Sequence, residues 1–211
     1  MALGGDALRA MIAAVAEDVE ASRDELCRLD GLIGDADHGI SMALGFGAAR
    51  DAVAALDAGA EPTAVLNAAA KAFLSAVGAS CGPLYATALM RAATAVKGKA
   101  VLDDADVVAV VQAMATGIRD RGKAETGQKT MLDAWAPAAV AAATACDGGH
   151  GLSACLDAAA AAARAGAEAT RGMVAAKGRA ERLGERAVGH VDPGAASAVV
   201  VIGAMRRSLA G

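Results

Sequence analysis

Apolar residues recur along this chain in steps of three and four. Leu8, Met11, Ile12, Val15 and Val19 share one face of a first helix. A second helix is predicted from residue 41 to about residue 56, with an acidic turn at its N-terminus. Glu61-Pro62-Thr63 opens a third that ends near Gly78, since proline is preorganised for a first helical turn. The break Gly78-Ala79-Ser80-Cys81-Gly82-Pro83 leads into a fourth with Leu84, Ala88 and Met90. Asp103-Asp104 starts a fifth, with Val107, Val108, Val111, Met114 and Ile118 inside. Residues 121–128 read as a polar connection. A sixth helix begins near Lys129-Thr130, carries Met131, Leu132 and Trp135, and is expected to bend at Pro137. A seventh spans about 152–173, and a shorter one follows Gly178. The last has a clear start, with Asp192 as N-cap and Pro193 in the first position, and runs to Leu209. Val199-Val200-Val201-Ile202 is strand-like but has no partner run, so it is assigned to the buried face of that final helix. The expectation is one all-α domain of about eight helices over residues 1–211.

Composition supports helices over sheets. The chain is 55% hydrophobic but only 2% aromatic, and alanine supplies much of the apolar content. Alanine permits close helix packing, whereas sheets favour β-branched and aromatic residues. The net charge of -4 and the absence of a polybasic block argue against nucleic acid as a partner. No charge-free apolar run of about 18 residues appears, so no membrane span is expected. The first twenty residues lack a basic leader. Cys27, Cys81, Cys146 and Cys155 form no CxxC pair and read as reduced thiols of a cytoplasmic protein. Cys146, His150 and Cys155 flank a glycine-rich loop that is not read as a zinc site.

One segment stands apart. Asp30, Asp35, Asp37 and His38 fall within nine residues, framed by Ile33-Gly34 and Gly39-Ile40. Carboxylates at about 4 Å repel by roughly 4 kcal/mol at an effective dielectric of 20. A fold accommodates that by protonating one, by spreading them into water, or by binding a cation. Oxygen ligands suit Mg²⁺ or Ca²⁺ rather than zinc. An EF-hand is excluded, because its sixth and twelfth positions, counted from Asp35, hold Ile40 and Phe46 instead of Gly and an acid. Mg²⁺ takes few protein carboxylates and shares its shell with phosphate, so one or two Mg²⁺ ions carrying a phosphorylated ligand fit. The other reading is a solvated turn whose aspartates cap helices.

The glycine-bearing breaks at 34–39, 78–82 and 188–194 precede helices, and helix N-termini bind phosphate. Neither G-x-x-x-x-G-K-[ST] nor G-x-G-x-x-G occurs, so a P-loop or Rossmann site is unsupported. Arg179 beside Gly178 can pair bidentately with a phosphate or simply end a helix. His190 near Asp192 lacks a nucleophile motif, which argues against hydrolase chemistry. His38 is open to proton transfer, nucleotide contact or packing.

Several further motifs accompany the acidic segment: Gly82-Pro83-Leu84, Arg121-Gly122-Lys123-Ala124-Glu125, Lys129-Thr130-Met131 with Asp133, and Lys177-Gly178-Arg179-Ala180. Leu183-Gly184-Glu185-Arg186 and Gly189-His190-Val191-Asp192-Pro193-Gly194-Ala195 complete the set. Together they resemble the L-subunit family of the dihydroxyacetone kinases over nearly the whole chain. The resemblance implies a barrel of eight antiparallel helices with a nucleotide, ADP or ATP, at one end. Asp30, Asp35 and Asp37 would hold two Mg²⁺ ions. His38, Gly39, Ile40 and Ser41 would line the same end, with Ser80 and Cys81 at the phosphates. Gly122 and Met131 would border the nucleoside, catalytic Arg179 the terminal phosphate, and Asp192, Pro193 and Gly194 would close the pocket.

The family has two forms. In one, a longer chain uses ATP directly. In the other, a free-standing subunit keeps ADP as a cofactor, an M subunit of the phosphotransferase system rephosphorylates it, and a K subunit carries the triose. The length and Asp37-His38-Gly39 resemble the second form. Alternatives implied by the family are an ATP-dependent kinase of another ketose such as erythrulose, and a nucleotide-state reporter that binds a transcription regulator. Cys81 stands where relatives often carry Ser, Gln128 where they carry Asp, and Ser41 where Asn is common.

Overall fold

The computed structural model describes residues 3–210. Nine α-helices lie among them: α1 (Gly5–Ala21), α2 (Arg23–Ile33), α3 (His38–Ala54), α4 (Pro62–Ala76), α5 (Cys81–Ala95), α6 (Asp104–Gly122), α7 (Leu132–Asp147), α8 (Leu152–Ala169) and α9 (Pro193–Ala210). Two 3-10 stretches, Thr170–Gly172 and Arg179–Ala187, connect α8 to α9. Extended pairing among the described residues amounts to one isolated bridge between Leu3 and Leu102. Among the described residues no helix is long and apolar enough to cross a membrane.

The helix starts follow local chemistry. Asp103 caps α6 in a reciprocal capping box with Asp106. The Asp192 carboxylate accepts the Ala195 N–H at 2.7 Å, so it caps α9 as the sequence predicts. The helix α7 runs through Pro137 from Leu132 to Asp147. Val201 and Ile202 are buried on α9, while Val199 and Val200 are partly exposed.

One helix was not anticipated. The segment before the acidic turn forms α2, separate from α1. Its buried positions are Leu26, Asp30 and Ile33, spaced like any helix face. One of the three is an aspartate, so the apolar stripe is too short to register as a period. Among the described residues α2 joins eight other α-helices, and the shorter helix expected after Gly178 is the 3-10 stretch Arg179–Ala187.

Neighbours in sequence pack in turn from α3 to α9. The helix α9 then packs on α1, and α1 on α3. The helix α2 lies against α3 and α9. Small residues allow the close approaches: α8 buries Ala159, Ala160, Ala163 and Ala167 on one face. A Cβ on Gly166 would stand 2.0 Å from the Asp133 carbonyl oxygen of α7. Bulk is concentrated at the centre. The chain has two Phe, one Tyr and one Trp, and all four meet there. Phe46 packs on Phe73 at 5.0 Å, Phe73 on Tyr85 at 5.5 Å, and Tyr85 on Trp135 at 6.4 Å between ring centroids. The Phe46–Phe73 and Tyr85–Trp135 pairs are edge-to-face, and such pairs contribute about 0.5–1.5 kcal/mol beyond area burial. A smaller cluster of Ile33, Ala175, Ala180 and Ala187 packs the 3-10 stretch onto the end of α2.

This packing separates two glycines that a propensity scale treats alike. Gly166→Ala drives a methyl into backbone and is expected to cost about 1–3 kcal/mol, lowering Tm by roughly 3–10 °C. Gly47→Ala in α3 meets nothing within 4 Å and is expected to raise stability by about 0.5–1 kcal/mol. Thermal unfolding of the two variants checks the difference in sign; a shared sign contradicts the close α7–α8 approach.

Candidate functional site

The chain direction along the helices puts several N-termini at one end. The first residues of α3, α5, α7 and α9, namely His38, Cys81, Leu132 and Pro193, all line one cavity of about 400 Å³. This lies within the usual size of small-ligand pockets, about 300–1,000 Å³. Each N-terminus carries the partial positive charge of its helix, so the converging set favours an anion.

On the rim stands the acidic turn. Oxygen atoms of Asp30, Asp35 and Asp37 lie within 4.8 Å of one another. Capping does not account for all three. The Asp30 carboxylate accepts the N–H groups of Asp37 and His38 at 3.0 and 3.3 Å, and so secures the start of α3. Asp37, the N-cap of α3, makes no side-chain cap bond. Asp30 is 7% exposed, and Gly34 is required beside it, because a Cβ there would stand 2.2 Å from Oδ1. Ala36 turns the chain between the other two aspartates with φ of 62°, a conformation that costs a non-glycine residue on the order of 1 kcal/mol. A backbone strained to bring carboxylates together fits a hard divalent cation. Here the opposing charge is Arg179, which pairs with Asp35 and reaches Asp37 at 3.7 Å.

His38 is settled by its neighbours. The Ser197 hydroxyl donates to the Gly194 carbonyl at 2.9 Å, leaving its oxygen to accept from His38 Nε2 at 2.9 Å. Burial lowers the His38 pKa, against an opposing effect of Asp30. A neutral imidazole with its proton on Nε2 thus ties α3 to α9. Burial pushes the Cys81 thiol up to about 11, so it stays protonated at the start of α5. Burial likewise pushes Asp192 up to about 7, partly opposed by the Ala195 N–H and the Lys129 charge.

Most residues expected from sequence meet at this cavity: Asp30, Asp35, Asp37, His38 and Ser41 on one side, Ser80 and Cys81 beside them. Gly122 and Met131 lie across from these, and Arg179, Asp192, Pro193 and Gly194 complete the wall. Two do not line it. Gly39 faces inward, where a Cβ would stand 2.0 Å from the Arg23 carbonyl oxygen; it lets α3 approach α2. Ile40 is 50% exposed on the outer side of α3. Leu84, Ile118, Arg121, Lys129 and Lys177 line the cavity without having been selected. Leu84 and Ile118 read from sequence as ordinary core positions. Lys129, expected at the start of a helix, precedes α7 and is 1% exposed.

The cavity lining is therefore mixed. Leu84, Ile118 and Met131 supply apolar surface suited to a flat ring. Carboxylates, cationic side chains and helix N-termini supply polar surface suited to phosphates with metal.

Comparison with known proteins places the chain in a family. Residues 32–207 match the DAK2 domain. The chain is 37% identical over 177 residues to the PEP-dependent dihydroxyacetone kinase, ADP-binding subunit DhaL, of Escherichia coli strain K12, covering 84% of each. It is 36% identical over 198 residues to an ADP-binding subunit DhaL of Listeria innocua, covering 90% of this chain and 88% of that one. It is 38% identical over 189 residues to L-erythrulose 1-kinase of Mycolicibacterium smegmatis, but spans only 32% of it. The crystal structure of the dihydroxyacetone kinase of C. freundii in its native form superposes with TM-score 0.70 and 25% identity over 96% of this chain. The same kinase in complex with AMP-PNP and Mg²⁺ gives TM-score 0.73 at 23% identity, a likeness of fold. This chain spans about a third of those two, 34% and 33%.

Two outcomes follow from the electrostatics. Folded Asp192 titrates near 7 against 3.8 in the reference state, so between these values the native protein holds the extra proton. Stability on this account is full below about pH 4 and is lost as pH rises towards 7, by on the order of a few kcal/mol. Asp192→Asn, which can still cap α9, is expected to flatten that part of the pH–stability curve; an unchanged slope in denaturant unfolding contradicts it. Arg179→Gln leaves the acidic turn unopposed. Millimolar Mg²⁺ alone is expected to raise its Tm more than that of the parent, and equal shifts count against a cation seat at the three aspartates.

Proposed function

The chain belongs to the DAK2 domain family, and we propose that it is the nucleotide-holding L-type subunit of a small-ketose kinase. It keeps ADP or ATP with Mg²⁺ at the end of the bundle and passes the phosphoryl group to a dihydroxyacetone-class substrate held on a K-type subunit. The observation that carries this reading is the meeting of three carboxylates with the N-termini of α3, α5, α7 and α9 around one cavity. The closed succession of α1 and α3 to α9 supports an eight-helix barrel with α2 outside it. We read residues 1–211 as one unit, since a single core cluster runs from Leu3 to Leu209.

Phosphoryl transfer needs positioning and charge neutralisation more than covalent chemistry. Bound Mg²⁺ supplies positive charge at the phosphate oxygens. Asp30, Asp35 and Asp37 would hold it, with Asp30 fixed by two backbone N–H groups and the other two exchanging their Arg179 partner for the ion. Ser80 and Cys81 offer the N-terminal N–H groups of α5 to phosphate, which needs no thiolate. Leu84, Ile118, Gly122 and Met131 cover the nucleoside. Arg179 leaves Asp35 for the terminal phosphate and stabilises charge there as the group moves. His38, neutral and bonded to Ser197, orients the start of α3 instead of moving a proton.

Relatives covered over more than four fifths of their length are named ADP-binding subunits of PEP-dependent kinases. That favours ADP retained as a cofactor and recharged in place by a phosphotransferase-system M subunit. The similarity to erythrulose kinases keeps a four-carbon ketose, phosphorylated from exchangeable ATP, as the second reading.

Calorimetric titration with ADP tests the site directly. Binding is expected to require Mg²⁺, and Asp35→Ala or Asp37→Ala to weaken it more than about 100-fold, the loss of roughly 2.7 kcal/mol; metal-independent binding contradicts the seat. With a K-type partner supplied, Arg179→Gln is expected to lower kcat by about 10²–10³ and to change nucleotide affinity by less than tenfold. Slow exchange of bound ADP for labelled ATP separates the cofactor form from the ATP-using form.

A further inference from the structure

We infer that Lys129 is a positioning residue of the nucleotide site: its buried ammonium pins the chain leading to Arg179 and the lip at Asp192 to the wall that carries Met131. The inference rests on the nucleotide reading above.

Lys129 is 1% exposed and sits in a left-handed backbone conformation with φ of 58°. Among the described residues its hydrogen-bond partners are both main-chain carbonyls, Thr170 at 2.6 Å and His190 at 2.5 Å. Burial lowers its pKa, as expected for an ammonium withdrawn from water. Holding a charge there is unfavourable unless those two acceptors need it.

Both acceptors lie on segments that form the site. Thr170 caps α8 and opens the 3-10 stretch Thr170–Gly172, from which the chain runs to Lys177 and Arg179. His190 precedes Asp192, Pro193 and Gly194. The Thr170 hydroxyl, fully buried, accepts the Asp192 N–H at 2.9 Å and donates to the Ala167 carbonyl at 2.6 Å. On the other side, the Asp133 carboxylate accepts the N–H groups of Thr130 and Gly127, fixing the loop that presents Lys129. The Gln128 carbonyl accepts the Ala176 N–H at 3.2 Å, a second tie to the same strap. The segments around 130, 170 and 190 thus meet through one ammonium on the cavity wall. A residue needed for fold alone has no reason to join the three stretches that surround the ligand.

The test compares Lys129→Met, of similar length but without donors, with Lys129→Arg, which keeps donors and charge. Mg-ADP affinity is measured by calorimetry at least 20 °C below each variant's Tm. Expected is a 10- to 100-fold rise in Kd for the Met variant at unchanged stoichiometry, largely recovered in the Arg variant. A Met variant with wild-type Kd overturns the inference, however far its Tm falls. If the Met variant does not fold, Lys129→Gln decides, since its shorter neutral amide removes the ammonium and cannot hold both the Thr170 and His190 carbonyls. A 3- to 10-fold weaker affinity is expected, and an unchanged one overturns the inference. If the unmutated protein itself binds no Mg-ADP, the nucleotide reading fails as well; binding by the parent with unaffected variants removes the positioning role alone.

Discussion

Three carboxylates meet within 4.8 Å at one end of a helical bundle, and much of the surrounding structure follows from their mutual repulsion. Asp30 is buried on α2, where an apolar residue would ordinarily complete the stripe of Leu26 and Ile33. Its charge is balanced by two backbone N–H groups at the start of α3. Asp35 and Asp37 have no such support, and Arg179 closes on them from the far side. That guanidinium holds the place of a cation and sits on a segment anchored to α2 through the small cluster of Ile33, Ala175, Ala180 and Ala187. The same arginine can serve the turn when it is empty and a phosphate when it is filled, because both are anionic and accept the same fork of donors.

The rest of the fold makes that end of the molecule positive where the turn is negative. Alternate helices begin there, so α3, α5, α7 and α9 turn their positive ends towards one cavity. Close packing keeps those ends near one another. Gly166 and the alanine face of α8 let that helix press on α7, and the four aromatic rings fill the wider centre. An Ala-rich chain poor in aromatics suits this arrangement, with thin contacts between neighbours and bulk only where the helices diverge.

Much of this was legible in the sequence, and the remainder was hidden for identifiable reasons. Helices with full apolar stripes and chemical caps, such as α1, α6 and α9, were readable from Leu8 to Val19, from Asp103 and from Asp192-Pro193. The helix α2 was not, because its central buried residue is an acid, Asp30. The acidic turn was visible because charge clustering needs no tertiary context. Gly39 and Ile40 were taken with their neighbours as one lining stretch, but helical rotation points them to α2 and to the exterior. Lys129 was visible as part of the Lys129-Thr130-Met131 motif, but its burial was not, because the carbonyls of Thr170 and His190 that surround it are distant in sequence.

Native mass spectrometry of freshly purified protein, before and after EDTA, tests the central claim most directly. The expected result is a mass increment of one ADP with Mg²⁺ that disappears on chelation and returns when both are added back. Protein that is empty as purified and gains no mass in the presence of ADP and Mg²⁺ contradicts the claim and leaves the three aspartates with a structural role.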